Sequence, residues 1–277
     1  MIIDAHQHFW RLSRGDYGWL TPDAGALYRD YLPDDLVPLL HEHQVVATVL
    51  VQAAPTEAET RFLLRLAREH PFIAGVVGWV DFEAADAGER IAALAASAAG
   101  KLKGLRPMIQ DITDPDWIMR PSLDAAFEAM GAHGLVFDAL VRPGHLEALR
   151  KRLLRHPSLR AVLDHAGKPD IAGGTLEGWA VTLDRLARDT AICCKLSGLL
   201  SEAGPRRSTA DLTPWVGQIF SSFGAERVLW GSDWPILQSV STYPEWLGIA
   251  RELIERCAPG RADEVLSGTA RRLYHLH

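Results

Sequence analysis

A parallel (β/α)8 barrel is the fold predicted by this 277-residue sequence, and three observations predict it. Eight short runs rich in apolar and β-branched residues recur along the chain. Most are separated by segments with helical spacing, and near-continuous apolar strands alternating with helices indicate a parallel sheet covered on both faces. A doubly wound sheet would usually bring a glycine-rich first turn, whereas the first run here passes into HQHF at residues 6–9. Eight strand–helix units in a chain of this length fit one barrel.

The strand runs are MIIDA, VVATVLVQA, FIAGVVGWV, LKGLRPMI, GLVFDALV, LRAVLDHA, AICCKLSG and RVLWGSD. After the second comes PTEAETRFLLRLAREH, where Thr56 and Glu59 make a capping box and Phe62, Leu63, Leu66 and Ala67 an apolar stripe. Similar stripes occur in ERIAALAASAA, PSLDAAFEAMGAH, GHLEALRKRLLRH and TLEGWAVTLDRLAR, and two more helical stretches follow the last strand. The connection from Trp10 to Pro38, rich in Gly, Asp, Tyr and Pro, reads as an irregular loop over the site. No linker, low-complexity tract or shift in composition divides the chain, so residues 1–277 are expected to form a single domain.

Composition narrows the function. A hydrophobic share of 48% with 23% charged residues is ordinary for a globular enzyme. The net charge of −6, scattered without long like-sign blocks, gives no field for nucleic acid. No signal-peptide pattern and no long apolar stretch is present, so neither export nor a membrane span is expected and the cytoplasm is the expected compartment. Three cysteines, Cys193 and Cys194 adjacent and Cys257 distant, suit reduced thiols without a catalytic role.

In such barrels the site lies at the C-terminal ends of the strands. Strand one ends in His6 and His8, which alternation places on one face with Asp4 below them. Strand two presents Gln52, strand three Trp79 and Asp81, strand four Arg106, and strand five Asp138. Strand six presents His165, strand seven Lys195 and Ser197, and strand eight Asp233 followed by Trp234. Taken singly, each has a bland explanation: a satisfied core histidine, a turn cap, a structural ion pair. Their shared position at strand ends is the signal.

IIDAHQHFW at 2–10, KGLRP at 103–107, AVLDHAGKP at 161–169 and VLWGSDWP at 228–235 together resemble the amidohydrolase superfamily, and within it the branch of sugar lactonases. That resemblance implies a (β/α)8 barrel with a catalytic centre of His6, His8, His165 and Asp233. Members with two metals use a further histidine on strand five and a bridging carboxylated lysine or carboxylate. Strand five here has no histidine, and Lys103 alternates to the face opposite Arg106, which counts against a binuclear centre. The same four residues suit one divalent ion, zinc by donor chemistry, and the sequence leaves open whether catalysis needs it.

Hydrolysis of a lactone needs an activated water, a donor for the carbonyl oxygen and a proton for the leaving alkoxide. Asp233 is the candidate base, with His6, His8, His165 and Arg106 as donors to the carbonyl oxygen. A carboxylate with a normal pKa near 4 is a weak base, so burial beside Trp234 is expected to raise it unless a metal activates the water. Arg106 and Arg142 are the only arginines evident near strand ends, which favours a neutral polyhydroxylated ring over a carboxylate-bearing one. Gln52, Asp138, Lys195 and Ser197 are candidates for its hydroxyls, and Trp10, Trp79 and Trp234 for its apolar face. Lys168 falls in the motif without an assigned role. The alternatives are a metal-dependent decarboxylase of an aromatic or unsaturated acid and a non-catalytic barrel that binds a sugar acid. A small-molecule lactone is the expected partner, with neither nucleic acid nor membrane, and a homo-oligomer is left open.

Overall fold

The structure, a computed structural model, describes residues 1–276. Eight parallel strands run in order around one sheet: β1 (Ile2–Gln7), β2 (Val45–Val51), β3 (Ile73–Gly78), β4 (Leu102–Leu105), β5 (Val136–Ala139), β6 (Ala161–Leu163), β7 (Cys193–Leu196) and β8 (Val228–Trp230). Beyond the end of β8, the amides of His8 and Asp233 bond Trp234 O (2.7 Å) and His6 O (2.8 Å), bringing β8 back to β1. Around the sheet lie α1 (Pro33–Glu42), α2 (Glu57–Glu69), α3 (Ala87–Ser97), α4 (Asp124–Ala132), α5 (Leu146–Arg155), α6 (Glu177–Asp189), α7 (Leu199–Glu202), α8 (Thr209–Phe223), α9 (Tyr243–Cys257) and α10 (Thr269–Tyr274). The predicted (β/α)8 barrel is the observed one. Among the described residues no helix is long and apolar enough to cross a membrane.

Two buried layers follow from strand alternation. Ile3, Ala5, Val49, Val51, Val77, Val136, Val162 and Leu229 form an inner cluster, closed by Ala270, Leu273, Tyr274 and Leu276 from the C-terminal segment. Alternate residues such as Leu50, Val76, Leu105 and Leu163 belong to the larger cluster shared with the helices.

Two local expectations are corrected. The Trp10–Pro38 loop ends earlier, because Pro33, pre-set for a first helical turn, starts α1 at its N1 position. The capping box at α2 is half made: Thr56 Oγ1 accepts from the Glu59 amide (3.0 Å), but the Glu59 carboxylate turns back to the amides of Ala53 and Ala54 (3.0 and 2.7 Å). Buried there, Glu59 rigidifies the β2–α2 turn beside the cavity; burial pushes its pKa up to about 7 against those hydrogen bonds.

Candidate active site

His6 on β1 and His8 just beyond its end reach the barrel axis through a bulge. Between Asp4 and Gln7 the strand advances three residues while β2 advances two, from Thr48 to Leu50. One extra residue flips the face: Ile3 and Ala5 lie in the inner cluster, and then His6 and His8 turn inward. Asp4 is therefore not on the histidine face, contrary to strict alternation. It faces the helices, accepting from Ser232 N (2.9 Å), Ser232 Oγ (2.6 Å) and Tyr243 Oη (3.1 Å), which ties β1 to β8 and α9.

Around the axis the two histidines meet His165 and Asp233. His8 Nε2 lies 3.2 Å from His6 Nε2 and 3.3 Å from Asp233 Oδ1, with His6 Nε2 3.7 Å and His165 Nε2 3.9 Å from the same oxygen. His8 Nδ1 donates to Val51 O at 2.8 Å, and His165 Nδ1 bonds Ser197 Oγ at 2.8 Å. Both His165 (φ 52°) and Asp233 (φ 59°) sit in the left-handed region, a strain of about 1–2 kcal/mol each that the surrounding packing holds. Gly198 makes room for the ring: at φ +65°, a Cβ there would lie 2.5 Å from His165 Nδ1. Gly198→Ala is therefore expected to displace the imidazole and lower kcat by roughly a hundredfold with a smaller change in KM. Steady-state kinetics on the folded variant check it.

Beneath these groups lies a charge network that sequence reasoning covered only in part. Asp164, not singled out from the sequence, sits 2.9 Å from Lys195 Nζ, 3.3 Å from Arg106 Nη1 and 3.6 Å from His6 Nδ1. Burial alone would raise its pKa; Lys195, His6 and Arg106 outweigh that and hold it well below the carboxylate range. Asp164 precedes His165 in the motif, and the order of residues carries no mark of its pairing with Lys195 and Arg106. Burial first, and then the charge of Lys195, keep His6 far below the ordinary imidazole value. For His165, burial outweighs Asp233 and Asp164 and brings the pKa to about 4. At Asp233 burial works upward, but His165, His8 and His6 outweigh it, and the carboxyl is held below its usual range. The expectation that burial raises Asp233 is thus corrected, because imidazoles and not Trp234 surround it.

The open cavity above has a volume of about 250 Å³. That lies just under the 300–1,000 Å³ usual for small-molecule pockets and suits one small ring. Of the predicted residues it is lined by His8, Arg106, His165, Asp233 and Lys168; Trp19, Met108 and Gln110 were not foreseen. His6 lies just below, fully buried.

Several predicted substrate contacts are corrected by burial. Trp10 and Trp234 are fully enclosed; Trp10 buttresses Trp19 edge-on at 5.4 Å, and Trp234 packs against Phe9 and Tyr31. The indole over the cavity is Trp19, held by Nε1 to Ala53 O at 2.7 Å. Trp79 lines an adjoining cleft with Trp19 and Trp117. Gln52 is buried and clasps Arg106, its Oε1 accepting at 3.1 Å and its Nε2 donating to Arg106 O at 2.9 Å. Asp138 and Lys195 are buried beneath His6, joined at 2.6 Å, with Tyr274 Oη on Asp138 at 2.7 Å. Arg142 does not line the cavity; its Nε donates to the main-chain oxygen of Gln110, which does.

A barrel with histidines from β1, a histidine after β6 and an aspartate after β8 defines a class, and the chain belongs to the amidohydrolase family, whose model matches residues 3–276. It is 45% identical to an L-fucono-1,5-lactonase of Burkholderia ambifaria, over 99% of this chain and 95% of that one. It is 38% identical to an L-fucono-1,5-lactonase of Burkholderia multivorans, over 99% and 96%. A crystal structure of a Burkholderia multivorans amidohydrolase with bound zinc superposes over 100% of both chains with a TM-score of 0.92 and 36% identity. In this chain His6, His165 and Asp233 bring ligand atoms within 4.8 Å of one another, a nitrogen and oxygen donor set that suits a divalent ion.

Proposed function

We propose that this chain hydrolyses a neutral sugar lactone, L-fucono-1,5-lactone or a close stereochemical relative, to the free aldonic acid. The observation that carries the reading is the meeting of Asp233, His8, His165 and Arg106 in one small cavity of a chain so similar to lactonases. Asp233 takes a proton from the attacking water and returns it to the ring oxygen as the ester breaks. Its low pKa makes it a weak base, so catalysis leans on held geometry and on the donors at the carbonyl oxygen. Arg106, fixed by Gln52 and Asp164, supplies one such donor, and the imidazoles of His6 and His165 the others, the N–H of His8 being taken up by Val51 O. Trp19 offers an apolar face to the ring. His6, His165 and Asp233, with His8 beside them, would hold a zinc ion, whose chemistry is Lewis acidity and water activation. A reducing, cytoplasmic setting belongs to the same reading, with all three cysteines free thiols.

Of the two cations lining the cavity, Arg106 is already bonded to Gln52 and Asp164 and Lys168 is paired with Glu202 at 3.4 Å, which leaves little to hold a substrate carboxylate. The test is acid release, followed with a pH indicator, from L-fucono-, L-rhamnono-, L-galactono- and D-arabinonolactone and from a carboxylated lactone. Turnover is expected for a stereochemical subset of the neutral lactones, with the carboxylated ring at least tenfold poorer in kcat/KM. Preference for the carboxylated ring, or no acid release by folded protein, contradicts the reading.

A further inference from the structure

We infer that the cleft adjoining the catalytic cavity is a second sugar subsite, and that this chain takes a lactone carrying a further neutral pyranose ring on one of its hydroxyls. The inference deepens the lactone reading above, on which it rests for its consequence in turnover.

The cleft has a volume of about 540 Å³, larger than the catalytic cavity of about 250 Å³. Trp19, Met108 and Asp111 line both spaces, so the two meet along one wall. The smaller space suits a single ring, and a substituent that leaves that ring past Trp19 enters the larger one.

The aromatic lining is held in place before any ligand arrives. Trp19 Nε1 donates to Ala53 O at 2.7 Å. Trp79, just beyond β3, is clasped by Thr60 of α2, whose Oγ1 accepts from Trp79 N at 2.8 Å and donates to Trp79 O at 2.9 Å. Trp117, itself buried, completes the lining. Indoles fixed in this way offer large apolar faces to the C–H face of a sugar ring at little ordering cost.

Charge selects among possible substituents. Asp16, Asp81, Glu83 and Asp111 line the cleft, and among the described residues no lysine, arginine or histidine does. Arg14 and Arg120 bond Asp16 Oδ2 and Glu83 Oε1 from outside the lining, at 2.6 and 2.7 Å. Carboxylates accept hydrogen bonds from hydroxyl groups, and they repel an anion. An alkyl chain in the same place would strip water from them and give no hydrogen bond in return, which costs free energy. Aromatic faces beside acceptor oxygens thus fit a neutral sugar ring better than an apolar tail or a carboxylated group.

The test compares acid release from the best neutral monosaccharide lactone with release from the same lactone bearing a glucosyl, a glucuronosyl or a butyl ether group on each free hydroxyl in turn. One glucosylated isomer is expected to exceed the parent in kcat/KM by about tenfold, mainly through KM, with the other two substituents falling short of it. Trp79→Leu removes one aromatic face, and Gly18→Phe adds a side chain at a glycine of the cleft lining whose Cβ would meet no atom within 4 Å. Each variant is expected to abolish the glucosyl gain and leave turnover of the parent lactone unchanged. No gain for any glucosylated isomer over a parent that turns over, a larger gain for the butyl ether, or a gain that survives both variants overturns the inference. Saturation-transfer NMR with the glucosylated alditols of the same configuration, which hold no ester, reads the subsite without turnover. Transfer to the glucosyl protons, lost in Trp79→Leu, is expected, and its absence in the wild type overturns the inference. Failure of the lactone reading would show separately, as no acid release from any lactone with that transfer in place.

Discussion

Asp233→Asn is expected to cut kcat for lactone hydrolysis by about a thousandfold while leaving the protein folded, within the roughly 10²–10⁴ attributed to a positioned acid–base group. The amide preserves the size of the side chain and the left-handed backbone at φ 59°, since asparagine tolerates that region as aspartate does. What it removes is the oxygen that receives the water's proton between His8 and His165. Loss of a single donor such as Arg106 is expected to cost less, roughly a hundredfold. Acid release by the two variants side by side checks the order, and near-normal turnover in Asp233→Asn would remove Asp233 from the role of base.

The second large effect is on stability. Asp164→Ala is expected to destabilise the fold by about 3–5 kcal/mol, because it leaves Lys195 and Arg106 as buried cations with one carboxylate, Asp138, between them. For a chain of this size that corresponds to a fall in Tm of about 10 °C, read by calorimetry. The direction with pH follows from its depressed pKa. A carboxyl held lower in the folded than in the unfolded state contributes stability above its unfolded pKa of about 4 and loses it as pH falls below that. The variant should therefore show a shallower loss of stability on acidification than the wild type. An equal Tm for the two proteins would mean that the network contributes nothing net.

Much of this was legible in the order of residues. Eight apolar runs read directly as strands because a parallel strand covered on both faces cannot alternate with polar residues. The convergence of His6, His8, Arg106, His165 and Asp233 followed from one rule about strand ends. What escaped had a physical reason in each case. The bulge in β1 is one inserted residue, and alternation carries no mark of it, so Asp4 was placed on the wrong face. Trp10 follows HQHF directly and so looked closer to the site than Trp19, but the chain turns back and lays Trp19 over the cavity with Trp10 behind it. Gln52, Asp138 and Lys195 do end their strands, yet depth along the barrel axis cannot be read from sequence, and they support the site from below or beside it. Glu59 looked like a helix cap because its spacing from Thr56 suits one, and the competing amides of Ala53 and Ala54 belong to a turn visible only in three dimensions.

The claim underlying the whole account is that side chains of this cavity, with Asp233 as base and held N–H donors at the carbonyl oxygen, suffice to open the lactone. Acid release from L-fucono-1,5-lactone by wild-type protein before and after prolonged chelation, with residual metal measured in the same samples, tests it most directly. Turnover that survives removal of metal is the predicted result. Turnover lost on chelation and restored by zinc would contradict it, and would move water activation from Asp233 to the ion.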